Sequence, residues 1–461
     1  MTTTLVLPEP LERELVASLV EPRETAAVLL ARKVDIADGV RLLGRRIMWV
    51  DDASYVERTS TAMTISSSGY VPALSAAESD GSVAIWFHTH PGCDSVPRPS
   101  PHDRIVDDQI ADLFRLRSGS ECYGTLIIAP SVTGYVFTGS FEEHAGEDRQ
   151  IDRIWSVGEA WRLRHRFSAD NRDPDAIFDR NIRAFGPEIQ RILGDLTIAV
   201  IGNGGTGSAV AEQLVRLGVR KLILVDADTL SDSNVTRVYG STPHDVDLPK
   251  ADILTGHLKR IANDLECTPI QGMLTLERVA RELRAADLIF GCTDDNAGRL
   301  VLCRLSTYYL IPVIDVGVLL SSNEQGTLTG IDGRITTMTP GAACLVCRDR
   351  IDLARASAEL RTPEERKRLA DEGYAPALGE TEPAVIAYTT AVAAAAVNEL
   401  LDRMIGFGPP DRPTETLLRL HEREMSTNQS QPRERHYCDL SQGKWGAGDT
   451  TPFLEQTWPA D

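Results

Sequence analysis

No stretch of the 461-residue chain approaches the ~20 consecutive apolar residues that a membrane-spanning helix requires. The first ten residues, Met1 to Pro10, carry no basic cluster ahead of an apolar run and read as neither a signal nor a transit peptide. The expected setting is the cytoplasm, with no membrane partner. Positive charge is also scarce: 48 Lys and Arg stand against 67 Asp and Glu, a formal net charge of −19. With no Lys/Arg stripe interleaved with aromatics, a phosphate backbone is repelled, which argues against nucleic acid as the main partner. Regular cysteine spacing is missing too. The eight cysteines are scattered apart from Cys344-Leu345-Val346-Cys347, a pattern that suits a reducing compartment and one metal knuckle better than a disulfide framework. Internal repeats and low-complexity tracts are absent.

What is present is enough apolar material, 42% of residues, for two cores, and a length too great for one. From Glu9 to Ala145, short apolar runs (Ala26 to Leu30, Val83 to Phe87, Thr125 to Ala129, Gly134 to Thr138) alternate with polar loops and one helix-like stretch, Pro101 to Leu116. That is the pattern of a small mixed α/β unit. The charged stretch from Glu142 to Asp175, punctuated by Trp155 and Trp161, reads as a late strand followed by a connector, with a boundary near 165–175. From Leu196 the rhythm changes to strand (Thr197 to Ile201), glycine turn, helix (Ser208 to Leu217) and strand (Lys221 to Val225). Further strands follow at Asp287 to Phe290 and Pro312 to Val316. This is the βαβ alternation of a doubly wound parallel sheet. Ala384 to Arg403 reads as an Ala-rich helix, and the tail from Pro409 as loop-rich.

Two constellations carry chemistry. In the first, the strand Val83 to Phe87 leads into His88-Thr89-His90-Pro91, a proline-rich loop and then Ser100-Pro101-His102-Asp103 at a helix start. Imidazoles two residues apart point the same way from an extended chain, and a carboxylate at a helix start closes a three-ligand zinc site. Zinc so held keeps a fourth position for water, whose pKa it lowers to roughly 7. A lone His-x-His is more often a chance pair beside a surface loop. The trailing Ser-x-x-Asp, with Glu24 upstream in Arg23-Glu24-Thr25-Ala26, changes that balance.

Together these residues resemble the JAMM (JAB/MPN metalloprotease) pattern. The resemblance implies a zinc metallo-isopeptidase acting at the C-terminus of ubiquitin-like proteins. It assigns His88, His90 and Asp103 to zinc, Glu24 to general base and proton shuttle, and Ser100 to the tetrahedral oxyanion. The loop from Pro91 to Pro99 is longer than in many eukaryotic members and places Cys93 and Asp94 where they can intrude on the site.

In the second constellation, Gly202-Asn203-Gly204-Gly205-Thr206-Gly207 follows an apolar strand and opens a helix, with Asp226-Ala227-Asp228 at the end of the next strand. Glycines permit the tight turn and let backbone approach phosphate at a helix N-terminus. Taken alone this suggests a dinucleotide-binding dehydrogenase. The followers differ: Asn234-Val235-Thr236-Arg237, Leu248-Pro249-Lys250-Ala251 and Cys292-Thr293-Asp294-Asp295, after an arginine-containing lead-in at Asp179-Arg180-Asn181.

This order resembles the ThiF/MoeB/HesA family and the activating enzymes of ubiquitin-like proteins. It implies ATP- and magnesium-dependent adenylation of the C-terminal glycine of a ubiquitin-like, β-grasp partner. By that resemblance Gly202, Gly204, Gly205, Gly207, Asp226 and Asp228 hold the nucleotide, with Asp226 on the ribose hydroxyls. Asn234, Arg237 and Lys250 hold the triphosphate, Asp294 carries magnesium, and Arg180 reaches the triphosphate of a neighbouring subunit, so a homodimer, or a pseudo-dimer with another chain, is expected. Arg299 stands where it can pair with Asp294.

Cys344 and Cys347 match half of the structural zinc knuckle of many ThiF-like proteins. The second Cys-x-x-Cys is missing. His436 and Cys438 complete a Cys₃His set in its place, or else the two cysteines form a metal-free turn. No cysteine stands between Arg348 and Pro383, where thioester-forming relatives usually carry one. The external nucleophile is then a conjugating-enzyme-like cysteine, an amine or a sulfur donor. The remaining cysteines, 93, 122, 267, 292 and 303, read as structural.

The expected fold class is α/β: an N-terminal mixed α/β JAMM (MPN) domain over 1–165, then a doubly wound Rossmann-like ThiF adenylation domain over 170–461. The expected function is modifier processing plus modifier activation. The alternatives are sulfur-carrier activation and a modifier-binding scaffold with one degenerate site.

Overall fold

The computed structural model describes residues 1–93, 95–144, 146, 148–166, 175–361, 365, 368 and 383–459. The chain divides into two compact units, Met1–Arg172 with Trp445–Gly448, and Asp173–Lys444 with Asp449–Asp461. The boundary expected near 165–175 falls mostly on 167–174, outside the described residues.

In the first unit the elements run β1 (Thr2–Pro8), α1 (Glu9–Ser18), β2 (Ala26–Ile36), β3 (Gly39–Trp49), β4 (Tyr55–Arg58), β5 (Met63–Ile65), α2 (Val71–Asp80) and β6 (Val83–Thr89). Then come α3 (Pro101–Ser118), β7 (Tyr123–Ser131), β8 (Gly134–Glu142), β9 (Asp148–Gln150), β10 (Arg153–Val157) and β11 (Arg162–His165). Nine strands form one mixed sheet in the order β11-β10-β1-β3-β2-β6-β7-β8-β9, and β4 and β5 pair apart from it.

Side chains alternate across a strand, and both sheet faces are covered, so the central strands read as unbroken apolar runs. Ala27, Leu29 and Ala31 of β2 with Ile85 and Phe87 of β6 pack with Leu11 and Leu15 of α1. Ala26, Val28 and Leu30 with Ala84 and Trp86 pack on Leu74 of α2 and Phe114 of α3. The parity matters for the chemistry. His88 and His90 share the parity of Trp86, so they face the side on which α3 begins.

One expectation fails in this unit, and one strand lies ahead of the stretch read as mixed α/β: Thr2–Pro8 is a strand between β10 and β3, parallel to both. The stretch read as one strand and a connector holds three strands, with Trp155 and Trp161 essentially fully buried. Arginine charge there is met by neighbouring elements: Arg164 lies 4.5 Å from the Tyr135 ring centroid of β8 and donates to Glu12 of α1 at 3.3 Å.

Asp107, one turn beyond Asp103 on α3, accepts from the Tyr123 hydroxyl at 3.1 Å. Burial, helped by the nearby carboxylates Asp103 and Asp108, pushes its carboxyl up to about 6. A raised carboxyl favours folding while it stays protonated and loses that contribution as pH rises through its folded pKa. Asp107→Asn is therefore expected to stabilise the protein at pH 7.5 by about 3 kcal/mol, with the gain about 1 kcal/mol smaller at pH 5. Urea midpoints of the two proteins at both pH values check this; a gain larger at pH 5 would contradict it.

The second unit runs α4 (Asp179–Asp195), β12 (Thr197–Ile201), α5 (Gly205–Leu217), β13 (Lys221–Asp226), α6 (Lys250–Ile261), β14 (Glu266–Gln271), α7 (Glu277–Glu282), β15 (Leu288–Gly291) and α8 (Asn296–Tyr309). There follow β16 (Val313–Ser322), β17 (Leu328–Met338), α9 (Leu353–Glu359), α10 (Ile386–Ile405), β18 (Glu415–Arg419) and β19 (Glu424–Asn428).

The sheet order is β14-β13-β12-β15-β16-β17-β18-β19. Its first five strands are parallel, and β16 to β19 are antiparallel. The sheet is therefore only half of the wholly parallel kind expected. The tail read as loop supplies two of its strands, β18 and β19. They are short and polar on one face, which hides their period. In the parallel half the chain turns back beside β12 to place β15. Between those two strands lies the crevice at which such sheets bind ligands.

Candidate active sites

In the first unit, strand pairing assembles the site. Ala26 of β2 stands opposite His88 of β6, and the pairing continues past the strand ends through Thr89 N–H to Thr25 O at 3.0 Å. Counting outward brings Glu24 opposite His90. His88 Nε2 and His90 Nε2 lie 3.1 Å apart. Asp103 Oδ1 and Oδ2 lie 3.5 Å from His88 Nε2 and His90 Nε2 respectively. Glu24 Oε1 is 3.9 Å from His90 Nε2. Ser100 caps α3: its Oγ accepts from Asp103 N at 3.1 Å, while Asp103 Oδ2 accepts from Ser100 N at 2.6 Å. The cap leaves the Ser100 hydroxyl proton unused and fixes the Asp103 side chain.

The electrostatics follow from burial. Glu24 and His88 are only 6% and 2% exposed. Burial raises the Glu24 carboxyl and lowers the His88 imidazole, which keeps the latter neutral with a lone pair to offer. Burial also works to raise Asp103, but hydrogen bonds from His88 and His90 outweigh it and hold the carboxylate well below its ordinary range. The three candidate ligands converge as a set. A tetrahedral edge is about 1.6 times the metal–ligand distance, so ligands ~2.05 Å from zinc stand ~3.3 Å apart, as these do. His88 Nδ1 is buried and has no hydrogen-bond partner among the described residues. None of them supplies the carboxylate or carbonyl that commonly accepts from the far nitrogen of a zinc-bound histidine. Cys93 Sγ donates to Ser95 O at 3.2 Å, and Asp94 lies outside the described residues.

In the second unit, a cavity of about 1160 Å³ opens at the crevice between β12 and β15. Gly202, Gly204, Gly205, Asp226, Asp228, Asn234, Arg237, Lys250 and Asp294 all line it. Gly202 has φ +83°, and a Cβ there would stand 2.7 Å from Cys292 O. Gly207 is not in the lining; its Cβ would meet Gly202 O at 1.8 Å, so it is glycine to let α5 pack under the turn. Asp226 braces the same turn, accepting from Asn203 N at 2.5 Å and Asp228 N at 2.9 Å. Lys250 Nζ donates to Asp228 at 2.8 Å, and Arg237 to Ser233 O at 3.0 Å. Asp294 is exposed and makes no hydrogen bond among the described residues.

Arg299 does not pair with Asp294. It donates instead to Asp315 at 3.2 Å, and Arg334 donates to the same buried carboxylate at 3.0 Å. The residue after Ile314 on β16 is thus an anchor for two arginines of the lining. Its only signal in the sequence is an acid inside an apolar run. Arg180, exposed on the first turn of α4, is outside the lining of its own cavity.

The irregularly spaced cysteines and histidine also converge. Cys344, Cys347, His436 and Cys438 offer four ligand atoms within 4.8 Å of one another. Cys347 Sγ is 3.6 Å from Cys438 Sγ, and His436 Nδ1 is 3.7 and 3.1 Å from Cys344 and Cys438 Sγ. Arg433 N donates to Cys347 Sγ at 3.3 Å. Hydrogen bonds from Cys303, Cys347 and Cys438 push the Cys344 thiol down, and the same contacts push the Cys347 and Cys438 thiols up.

An α/β sheet with a five-stranded parallel half, whose first glycine turn opens into a cavity lined by Arg237 and Lys250, defines a Rossmann-like nucleotide-binding protein. Residues 178–440 match the ThiF family, and the chain belongs to it. The SAMP-activating enzyme E1 of Haloferax volcanii is 25% identical over 162 residues, covering 35% of this chain and 56% of its own. The molybdopterin-synthase adenylyltransferase of Escherichia coli is 29% identical over 172 residues, 37% of this chain and 65% of its own. The chain thus spans about half to two thirds of the length of these curated relatives. Among solved structures, E. coli MccB with ATP aligns with TM-score 0.45 and 15% identity over 58% of this chain and 76% of its own. No helix of the described residues is long and apolar enough to cross a membrane.

Proposed function

We propose that this chain acts on the C-terminus of a ubiquitin-like protein twice, trimming it by zinc-dependent (iso)peptide hydrolysis in the first unit and adenylating it with ATP in the second. Adenylation rests on the convergence of the glycine turn, Asn234, Arg237, Lys250 and Asp294 on one cavity. There a modifier carboxylate oxygen attacks the α-phosphorus of ATP, and the bond to pyrophosphate breaks. Arg237 and Lys250 neutralise the charge that moves onto the leaving group. Asp294, already exposed to the cavity, is the carboxylate to hold Mg²⁺. Arg180 acts from a second copy of the chain, in keeping with its place outside its own cavity.

The hydrolase reading is supported by the meeting of Glu24, His88, His90, Ser100 and Asp103, five residues spread over 80 positions, in one JAMM-like set. Zinc, when held by His88, His90 and Asp103, supplies a Lewis acid and an acidified water. Glu24 holds the proton taken up on attack and returns it to the leaving amine nitrogen. Ser100 Oγ–H donates to the oxygen on which negative charge develops. Trimming exposes the terminal glycine that the second unit adenylates, so the two reactions are consecutive.

A second reading, activation of a sulfur carrier, is favoured by the lack of any cysteine from Arg348 to Pro383. The adenylate then passes to a partner's sulfur donor or conjugating cysteine. ATP–pyrophosphate exchange dependent on a small β-grasp protein ending in glycine tests both readings, and its absence with every such protein counts against both. Zinc at Cys344, Cys347, His436 and Cys438 completes the proposal. Cys438→Ser is expected to lower bound zinc from about two to about one equivalent per chain, measured by plasma mass spectrometry. Unchanged zinc would refute the knuckle.

A further inference from the structure

We infer that Arg58 is a positioning residue for Glu24, clamping the backbone that carries the proposed proton shuttle. The inference rests on the hydrolase reading of the first unit but is tested partly without it. Glu24 lies in irregular chain ahead of β2, and among the described residues no main-sheet strand hydrogen-bonds to its own N–H or C=O. Its backbone is held instead by the end of β4. Glu24 N–H donates to Thr59 O at 2.7 Å, and Arg58 Nε donates to Glu24 O at 2.8 Å. A second guanidinium nitrogen donates to Thr25 Oγ1 at 2.7 Å and a third to Asp52 at 2.8 Å. The guanidinium carbon stands 4.4 Å from the Tyr55 ring centroid, and the Tyr55 hydroxyl accepts from Ala26 N at 2.9 Å. Thr25 N donates to Thr89 Oγ1 at 2.9 Å, one residue from each histidine.

Residue 24 is thus fixed at both its N–H and its C=O, while its carboxylate makes no hydrogen bond among the described residues. That is the division a shuttle needs: a hydrogen-bonded backbone and a carboxylate whose oxygens are left to accept a proton. The Arg58 side chain is 10% exposed and that of Asp52 90% exposed, so the outer ion pair contributes little and the bonds to residues 24 and 25 are the substantive ones. Lysine cannot replace the arrangement, because one ammonium lacks the planar fork that reaches three acceptors.

The test compares Arg58→Ala, Arg58→Lys and Asp52→Ala in the full chain. For Arg58→Ala, kcat for cleavage of a modifier fusion is expected to fall about 10- to 100-fold with KM unchanged. Arg58→Lys should recover little of this, and Asp52→Ala should leave kcat as it was. Zinc content should stay at the wild-type level in all three. Hydrogen exchange supplies the readout independent of catalysis: the amides of Glu24, Thr25 and Ala26 should exchange faster in Arg58→Ala while those of β6 do not. Unchanged exchange at these amides, or full kcat in Arg58→Ala, overturns the inference. If Arg58→Ala unfolds the unit, Arg58→Lys carries both measurements. If the wild type cleaves no fusion, the hydrolase reading fails, and the exchange result still decides whether the clamp exists.

Discussion

Glu24→Gln is expected to stop cleavage of a modifier fusion, by about 10²- to 10⁴-fold, the range over which positioned acid–base groups act, while ATP–pyrophosphate exchange continues at the wild-type rate. The amide keeps the shape of the carboxylate but cannot accept the proton. Because the Glu24 carboxylate makes no hydrogen bond among the described residues and sits in a buried setting that already disfavours its charge, the substitution does not strip the fold of a bond. His88→Ala should stop cleavage equally and also release zinc from the first unit. Exchange is expected to persist in both variants because Glu24 and His88 belong to one compact unit and the cavity lining to the other. Loss of exchange together with cleavage would contradict the assignment of separate reactions to separate units. Retained cleavage would sink the hydrolase reading.

The second large effect belongs to the cavity proposed for adenylation. Asp294→Asn is expected to cut exchange by about 10²- to 10³-fold, the cost of removing one preorganised charge from a reacting phosphate, while cleavage is untouched. The residue is suited to the experiment because it is exposed and makes no hydrogen bond among the described residues, so a structural cause for the loss is removed. Raising magnesium should recover part of the rate, since a neutral amide still offers a weaker oxygen ligand. Lys250→Ala makes a useful contrast. Its ammonium is paired to Asp228, so the loss there mixes triphosphate binding with release of that carboxylate into the cavity. Exchange unaffected by Asp294→Asn would mean that another group carries the metal.

Motifs that are contiguous in the chain are legible in the sequence. The glycine turn after β12, the acidic pair after β13 and the acids after β15 each combine a strand end with a local turn, and the family match over 178–440 covers all of them. Ser100 and Asp103 are legible for the same reason, since a capping box is written in four successive residues. Strands at the sheet margins are not. β11 carries arginines whose charges are met by α1 and by an aromatic ring from β8, partners a sequence window cannot see. Proximity in sequence misleads for Arg299, because its nearest acid along the chain, Asp294, is not its nearest in space. Asp315 arrives on the neighbouring strand with better geometry and full burial.

The sequence alone determined which residues have the chemistry to act: two histidines and a carboxylate in a metal-ligand pattern, a glycine turn that suits phosphate, and the cations and acid proposed to hold a triphosphate and its metal. It also determined the parity that sends His88 and His90 to one face, because side-chain alternation is a local property of extended chain. Only the tertiary structure decided that Glu24 stands opposite His90, since that depends on the register of β2 against β6. It likewise decided that Cys344, Cys347, His436 and Cys438 meet despite their irregular spacing, and that Arg58 holds the backbone of residue 24. Those are distances between segments far apart in the chain, set by how two packed sheet faces must cover themselves, and no local pattern encodes them.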